Sequence, residues 1–203
     1  EGLKEIRAAL EHNYELEEVY IDDKYKTAFP EKEFDQVSVT ILKHDLFSRL
    51  VYREDASYIL AVLKEPVLDL SQIQLPENPL IIILENIEKP GNLGALLRTC
   101  DAVGADAVIL SQDHHNFFHP NVIRSSVGTV FSNQIAYAGA EEIKLWCKEN
   151  NIKVYAAALQ TDKFYTDMDY TSGTAFVFGA EDTGLTKFWR EAADRIIKIP
   201  MLG

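Results

Sequence analysis

Residues 79–105 read PLIIILENIEKPGNLGALLRTCDAVGA, and this stretch decides the fold. Leu80 to Leu84 is an unbroken apolar run, the mark of a strand buried on both faces. Pro90-Gly91-Asn92-Leu93-Gly94 reads as a tight turn feeding a helix over 91–103, with its first amides open to a ligand or a polar backbone. At about 100° per residue, Leu93, Leu96, Leu97, Cys100 and Val103 form the core stripe of that helix. Arg98 lies off the stripe, near Ala95 and Ala102. Alanines let another backbone or a ligand come close. Arg98 is therefore either an ordinary surface arginine or a cation held near a substrate.

The pattern continues outward from this unit. Strands are expected at 80–85, 106–110, 152–158, 174–179 and 195–199, and helices at 91–103, 139–150 and 187–193. Apolar strands alternating with helices predict an α/β domain with a mostly parallel sheet covered on both faces. In such sheets ligands sit beyond the carboxyl ends of the strands. The turn after Leu84 lies there, and so does Gly179-Ala180-Glu181-Asp182-Thr183-Gly184 after Phe178.

Upstream, residues 2–12 have helical spacing, 16–21, 37–42 and 58–63 read as strands, and 45–50 as a short helix. Together they predict a small α/β unit over 1–64. Residues 65–79, with three prolines and no period, read as a linker. The second domain then spans 80–203.

Composition sets bounds. The 203 residues are 47% hydrophobic, enough for one sizeable core or two small ones. There is no run of about 18 apolar residues and no signal-peptide pattern at the charged, amphipathic start. The two cysteines, Cys100 and Cys147, suit a reducing compartment. A cytoplasmic, membrane-free protein is expected. The net charge of −12 argues against nonspecific nucleic-acid binding, though not against a local basic site. Two phosphate-binding fingerprints fail: Gly91-Asn92-Leu93-Gly94 is neither Gly-x-Gly-x-x-Gly nor a P-loop.

Asn92-x-Gly94-x-x-x-Arg98 resembles the first signature motif of the SpoU (TrmH-type) RNA ribose 2′-O-methyltransferases of the SPOUT class. Arg124 to Phe131, RSSVGTVF, is similar to that family's Arg-x-Ser-x-Gly segment. Phe176 to Thr186, FVFGAEDTGLT, resembles its second motif, and Ile199 to Gly203, IPMLG, the start of its third. The order and spacing agree across 80–203, and residues 1–64 resemble the small α/β/α substrate-binding domain that often precedes it. Lys89 stands where the family often has an acidic or amide residue, and Asp182 where Gly is common.

The resemblance implies a SPOUT α/β fold with a C-terminal trefoil knot, a homodimer, S-adenosylmethionine as cofactor, and tRNA or rRNA as substrate. The rest of the third motif lies beyond Gly203, so the knot is expected to be incomplete in this chain and full activity to need more of it. The implied catalytic set is Arg98, Asn92 and Glu181. Arginine is a poor base, with a pKa above about 12, so Arg98 is read as stabilising the developing alkoxide and anchoring phosphate. Asn92 would orient the loop and Arg98; Glu181 would hold Arg98 or an active-site loop. Gly179, Ile199, Met201, Leu202, Ala157 and Leu159 are the implied cofactor contacts. Arg124 and Lys89 are read as RNA ligands, with a structural ion pair as the alternative for Arg124.

Other features have plain readings. His115 and His119 are four apart but lack a carboxylate pattern, so no metal is expected. Ser125 and Ser126 lack a nucleophile elbow, which argues against a hydrolase. Trp146 and Trp189 read as packing. Lys24, Lys26, Lys43 and Arg53 are either an RNA-gripping patch or a solvated face. Two rival functions stand beside the enzyme: a noncatalytic RNA-binding or assembly factor that keeps the fold, and an unrelated nucleotide-binding α/β enzyme.

Overall fold

A computed structural model describes residues 1–52, 57–111 and 116–201. Arg53, His115 and Leu202, singled out above, lie outside those residues. The order is α1 (Leu3–Glu11), β1 (Leu16–Asp22), β2 (Ser38–Leu42), α2 (His44–Leu50), β3 (Ile59–Leu63), β4 (Leu80–Glu85), α3 (Pro90–Val103), β5 (Ala107–Ser111), α4 (Pro120–Ser125), β6 (Ile135–Ala138), α5 (Ala140–Glu149), β7 (Lys153–Ala157), β8 (Thr174–Phe178), α6 (Lys187–Ala192) and β9 (Arg195–Ile197).

The first three strands make a small sheet, β2-β1-β3. β1 pairs parallel with β2 and antiparallel with β3, placing Val19 and Ile21 opposite Ala61 and Ile59. Because side chains alternate along a strand, Val19, Ile21 and Ile59 share one face. There they pack with Ile6 of α1 and Phe34.

The remaining six strands form one sheet of order β6-β5-β4-β8-β7-β9, parallel throughout. β4 shows why an unbroken apolar run suits this position. Ile81 and Ile83 face one core with Ile109, Ile143, Cys147, Val177 and Trp189. Ile82 and Leu84 face the other, with Leu93, Leu97, Cys100 and Leu110. Two covered faces leave no solvated side on which a polar residue could alternate.

The strand order places the functional region. From β4 the chain runs outward through β5 to β6, then returns so that β8 lies against the other side of β4. Leu84 is in register with Phe178. The segments leaving β4 and β8 therefore start side by side at a topological switch point, where parallel sheets open a crevice.

Four details depart from the sequence reading. α3 starts at Pro90, one residue before the expected 91, so Pro90 to Gly94 is the helix's own first turn and not a separate turn feeding it. Val103, assigned to the core stripe, is 60% exposed, whereas Gly94 is buried. α4 and β6 were not expected; six and four residues are too few to show a period. Residues 65–79 are a strap along the sheet edge: Leu70 enters the core, the Leu68 carbonyl accepts the Tyr137 amide, and the Gln134 side chain bonds the Gln74 backbone. None of the described helices is long and apolar enough to cross a membrane.

Candidate active site at the β4–β8 switch point

Asn92 sits in the first turn of α3. Its Nδ2 donates a hydrogen bond to Oε1 of Glu181, which lies in the loop after β8. Glu181 thus engages Asn92 rather than Arg98. The Asn92 amide holds the Glu181 carboxyl below its usual range; backbone N–H groups and the Lys89 charge add to this, against a smaller opposing effect of burial. The loop is compact. Gly184 (φ +66°) donates its amide to the Ala180 carbonyl, and its backbone lies so close over Gly179 that any side chain at 179 would overlap it. Glycine at 179 is a steric requirement of the folded-back loop.

Arg98 lies six residues along α3 from Asn92, about 9 Å in rise. It is exposed with Ala95 and Ala102. Among the described residues it has no hydrogen bond or ion pair, so no described side chain competes for its guanidinium with a phosphate or a developing oxyanion.

Gly94 joins the first motif to the Arg-x-Ser-x-Gly segment. A Cβ there would overlap the Ser125 hydroxyl and the Ser126 amide, so the absence of a side chain lets α4 cross α3 at contact distance. The Ser125 hydroxyl donates to the Asn121 carbonyl (2.6 Å) and that of Ser126 to the Ile123 carbonyl (2.9 Å). Both serines are committed to local backbone and neither is arranged as a nucleophile.

A family model of the SpoU rRNA Methylase family matches residues 79–203. The chain belongs to that family. It is similar along its whole length, at 26% identity, to the 23S rRNA (guanosine(2553)-2'-O)-methyltransferase RlmP of Bacillus subtilis, covering 79% of that protein. It is 35% identical to the tRNA (guanosine(18)-2'-O)-methyltransferase of Thermus thermophilus over 61% of this chain and 64% of that protein. The crystal structure of the SpoU methyltransferase AviRb from Streptomyces viridochromogenes in complex with the cofactor AdoMet superimposes with a TM-score of 0.91 at 26% identity, covering all of this chain and 80% of that one.

In this SpoU-family chain the segments named as cofactor contacts leave three adjacent strands at one sheet edge. Ala157 ends β7 opposite Ile197 of β9, and β8 on the other side of β7 leads into Gly179. The amide of Ala158 donates to the Ile197 carbonyl (3.0 Å). Leu159 (65% exposed), Ile199 and Met201 (73%) present apolar side chains at the same edge.

Arg124 Nη1 forms an ion pair with the Glu1 carboxylate at 3.8 Å, too long for a hydrogen bond, which is the structural alternative read for this residue from sequence. Arg124 borders a cavity of about 520 Å³ between β3 of the small sheet and α4, lined by Tyr14, Leu63, Phe118 and Phe131 among others. Lys89 is exposed at the residue before α3. His119 uses Nδ1 to accept the Asn121 amide and so caps α4, the reverse of a metal ligand's free nitrogen. Among the described residues no cluster of three or more His, Cys, Asp or Glu could hold a metal. Trp189 is fully buried and donates to Ser111 Oγ (3.3 Å). Lys24, Lys26 and Lys43 are exposed.

One group at the site escaped sequence reading. Glu85, the last residue of β4, is fully buried, and both its oxygens accept hydrogen bonds from Thr186, one from the amide and one from the hydroxyl, each 2.8 Å. A carboxylate closing an apolar run was the available signal.

Proposed function

We propose that this protein transfers a methyl group from S-adenosylmethionine to a ribose 2′-hydroxyl of RNA, with large-subunit ribosomal RNA as substrate. The observation that carries the reading is the Asn92–Glu181 contact: it joins the two family segments at the switch point, one helical stretch from the exposed Arg98. Family membership supports the reaction class. The choice of rRNA rests on the RlmP likeness, which spans the whole chain and includes the small sheet, whereas the tRNA enzyme's likeness covers 61%.

The strand ends suit the cofactor. Backbone polar groups of Ala157–Leu159, Gly179 and Ile199 adjoin exposed apolar side chains, a combination that fits an adenine and its ribose. When bound, S-adenosylmethionine supplies a methyl group activated by a sulfonium. A ribose 2′-hydroxyl is a weak nucleophile, so the protein's task is in-line placement and stabilisation of charge as the O–C bond forms, the S–C bond breaks and the hydroxyl proton leaves to solvent. Arg98 donates hydrogen bonds to that oxygen and the neighbouring phosphate. Asn92 and Glu181 fix the loop against α3. Lys89 and Arg124 contact RNA phosphates. Residues 1–64 form the substrate-binding unit, 65–79 connect it, and 80–203 carry the chemistry.

The C-terminal trefoil knot belongs to the same reading, as does a homodimer packed on the exposed Ala95–Ala102 face of α3. We place the protein in the cytoplasm, where its two free buried cysteines stay reduced. The test uses labelled S-adenosylmethionine with unmodified rRNA and tRNA, followed by alkaline hydrolysis, which cannot cut beside a 2′-O-methyl ribose. Labelled alkali-resistant dinucleotides from rRNA support the reading; label on tRNA alone corrects the substrate; no label from protein that binds the cofactor favours a noncatalytic RNA-binding role.

A further inference from the structure

Asn92, Arg98 and Glu181 all reach solvent, and behind them lies the buried carboxylate of Glu85. Burying a carboxylate is costly unless its oxygens are bonded. Packing does not call for a charge here, since Ile81 and Ile83 on the same face of β4 are apolar and the residue in register with Glu85 on β5 is the uncharged Ser111. What Glu85 holds accounts for it. Its Oε2 accepts the Thr186 amide and its Oε1 the Thr186 hydroxyl, 101 residues away in sequence.

Thr186 closes the loop that begins at Gly179. That loop is attached to the β4–α3 segment twice: at its tip through Glu181 and Asn92, and at its base through Thr186 and Glu85. The next residue after Glu85, Asn86, takes φ +55°, so the chain turns toward α3 from the point where Glu85 is fixed. One buried side chain thus sets the origin of both segments that form the site.

We propose that Glu85 is a positioning residue for methyl transfer, acting through Thr186 to hold the 179–186 loop in register with α3. This rests on the reading given under Proposed function. Two bonds to one residue fix both position and orientation, as one bond does not, and a misplacement of about 1 Å is enough to slow a reaction about a hundredfold.

The experiment measures cofactor affinity, RNA affinity and single-turnover methyl transfer on folded protein, with thermal midpoints recorded in parallel. Thr186→Val keeps the amide bond and the shape but loses the hydroxyl bond; Thr186→Ser keeps both bonds; Glu85→Gln weakens the pair from the other side. Transfer should fall tenfold or more in Thr186→Val and Glu85→Gln, with RNA affinity unchanged, and Thr186→Ser should rescue it. In a Glu181→Ala background the same Glu85→Gln change should cost less, because the loop has already lost its attachment at the tip. Folded variants with a lowered midpoint but wild-type transfer and additive effects would overturn the proposal and leave Glu85 a purely structural group. If Glu85→Gln does not fold, Thr186→Val decides. Wild-type protein that binds no labelled S-adenosylmethionine removes the underlying reading, and the proposal with it.

Discussion

Asn92 and Glu181, separated by 89 residues, share a hydrogen bond at the carboxyl edge of the parallel sheet. The contact exists because β4 and β8 are neighbours, so the first turn of α3 and the loop after β8 start from adjacent strand ends. It also explains what an exposed glutamate does: it holds a loop whose backbone adjoins the expected cofactor edge.

Arg98→Ala should lower methyl transfer at least about a hundredfold, the scale of losing one preorganised charge-stabilising donor. Cofactor affinity should stay within about twofold, because Arg98 stands on α3 and not on the strand ends. Filter binding and single-turnover transfer measured on one preparation check this. Loss of cofactor affinity would assign Arg98 a different role.

The Glu181 pair has a pH signature. Its folded pKa is lowered, so its contribution is fully present above the unfolded carboxylate range and is lost as pH falls through the folded value. The midpoint difference between wild type and Glu181→Gln should be constant above about pH 5.5 and shrink toward pH 3. Exposure of the pair keeps the difference small. A difference that grows on acidification would contradict this.

Gly94→Ala should destabilise by about 1–3 kcal/mol through overpacking, despite alanine's better helix propensity, because the new methyl meets the Ser126 amide as well as the Ser125 hydroxyl. Adding Ser125→Ala should recover only part of the loss, since backbone remains in the way. Urea midpoints of the single and double variants measure both effects.

Burial pushes the Cys100 thiol up to about 11 and the Cys147 thiol up to about 12. Neither should react with iodoacetamide in the native protein at pH 8, while both should react in urea. Mass spectrometry after brief labelling counts the adducts; rapid native labelling of either would show that its helix opens.

Much of this was readable from residues. The apolar run of β4 and the alternation of elements gave the parallel sheet, because strands covered on both faces must be apolar throughout. Other features depend on distant chain. Gly94 reads as a turn glycine until α4 is seen crossing it. Val103 fits the helical period, yet it is the last residue of α3 and stands largely exposed. Glu85 carries no local pattern, since its partner Thr186 is 101 residues away. The pairing of Glu181 with Asn92 instead of Arg98 likewise follows from strand order, which periodicity does not encode.

The most direct test of the account is amide hydrogen exchange with and without S-adenosylmethionine. The account predicts protection concentrated at the ends of β7, β8 and β9, over Ala157–Leu159, Gly179–Gly184 and Ile199. Protection confined instead to the cavity beside Arg124 and Tyr14, with those strand ends unchanged, would contradict it.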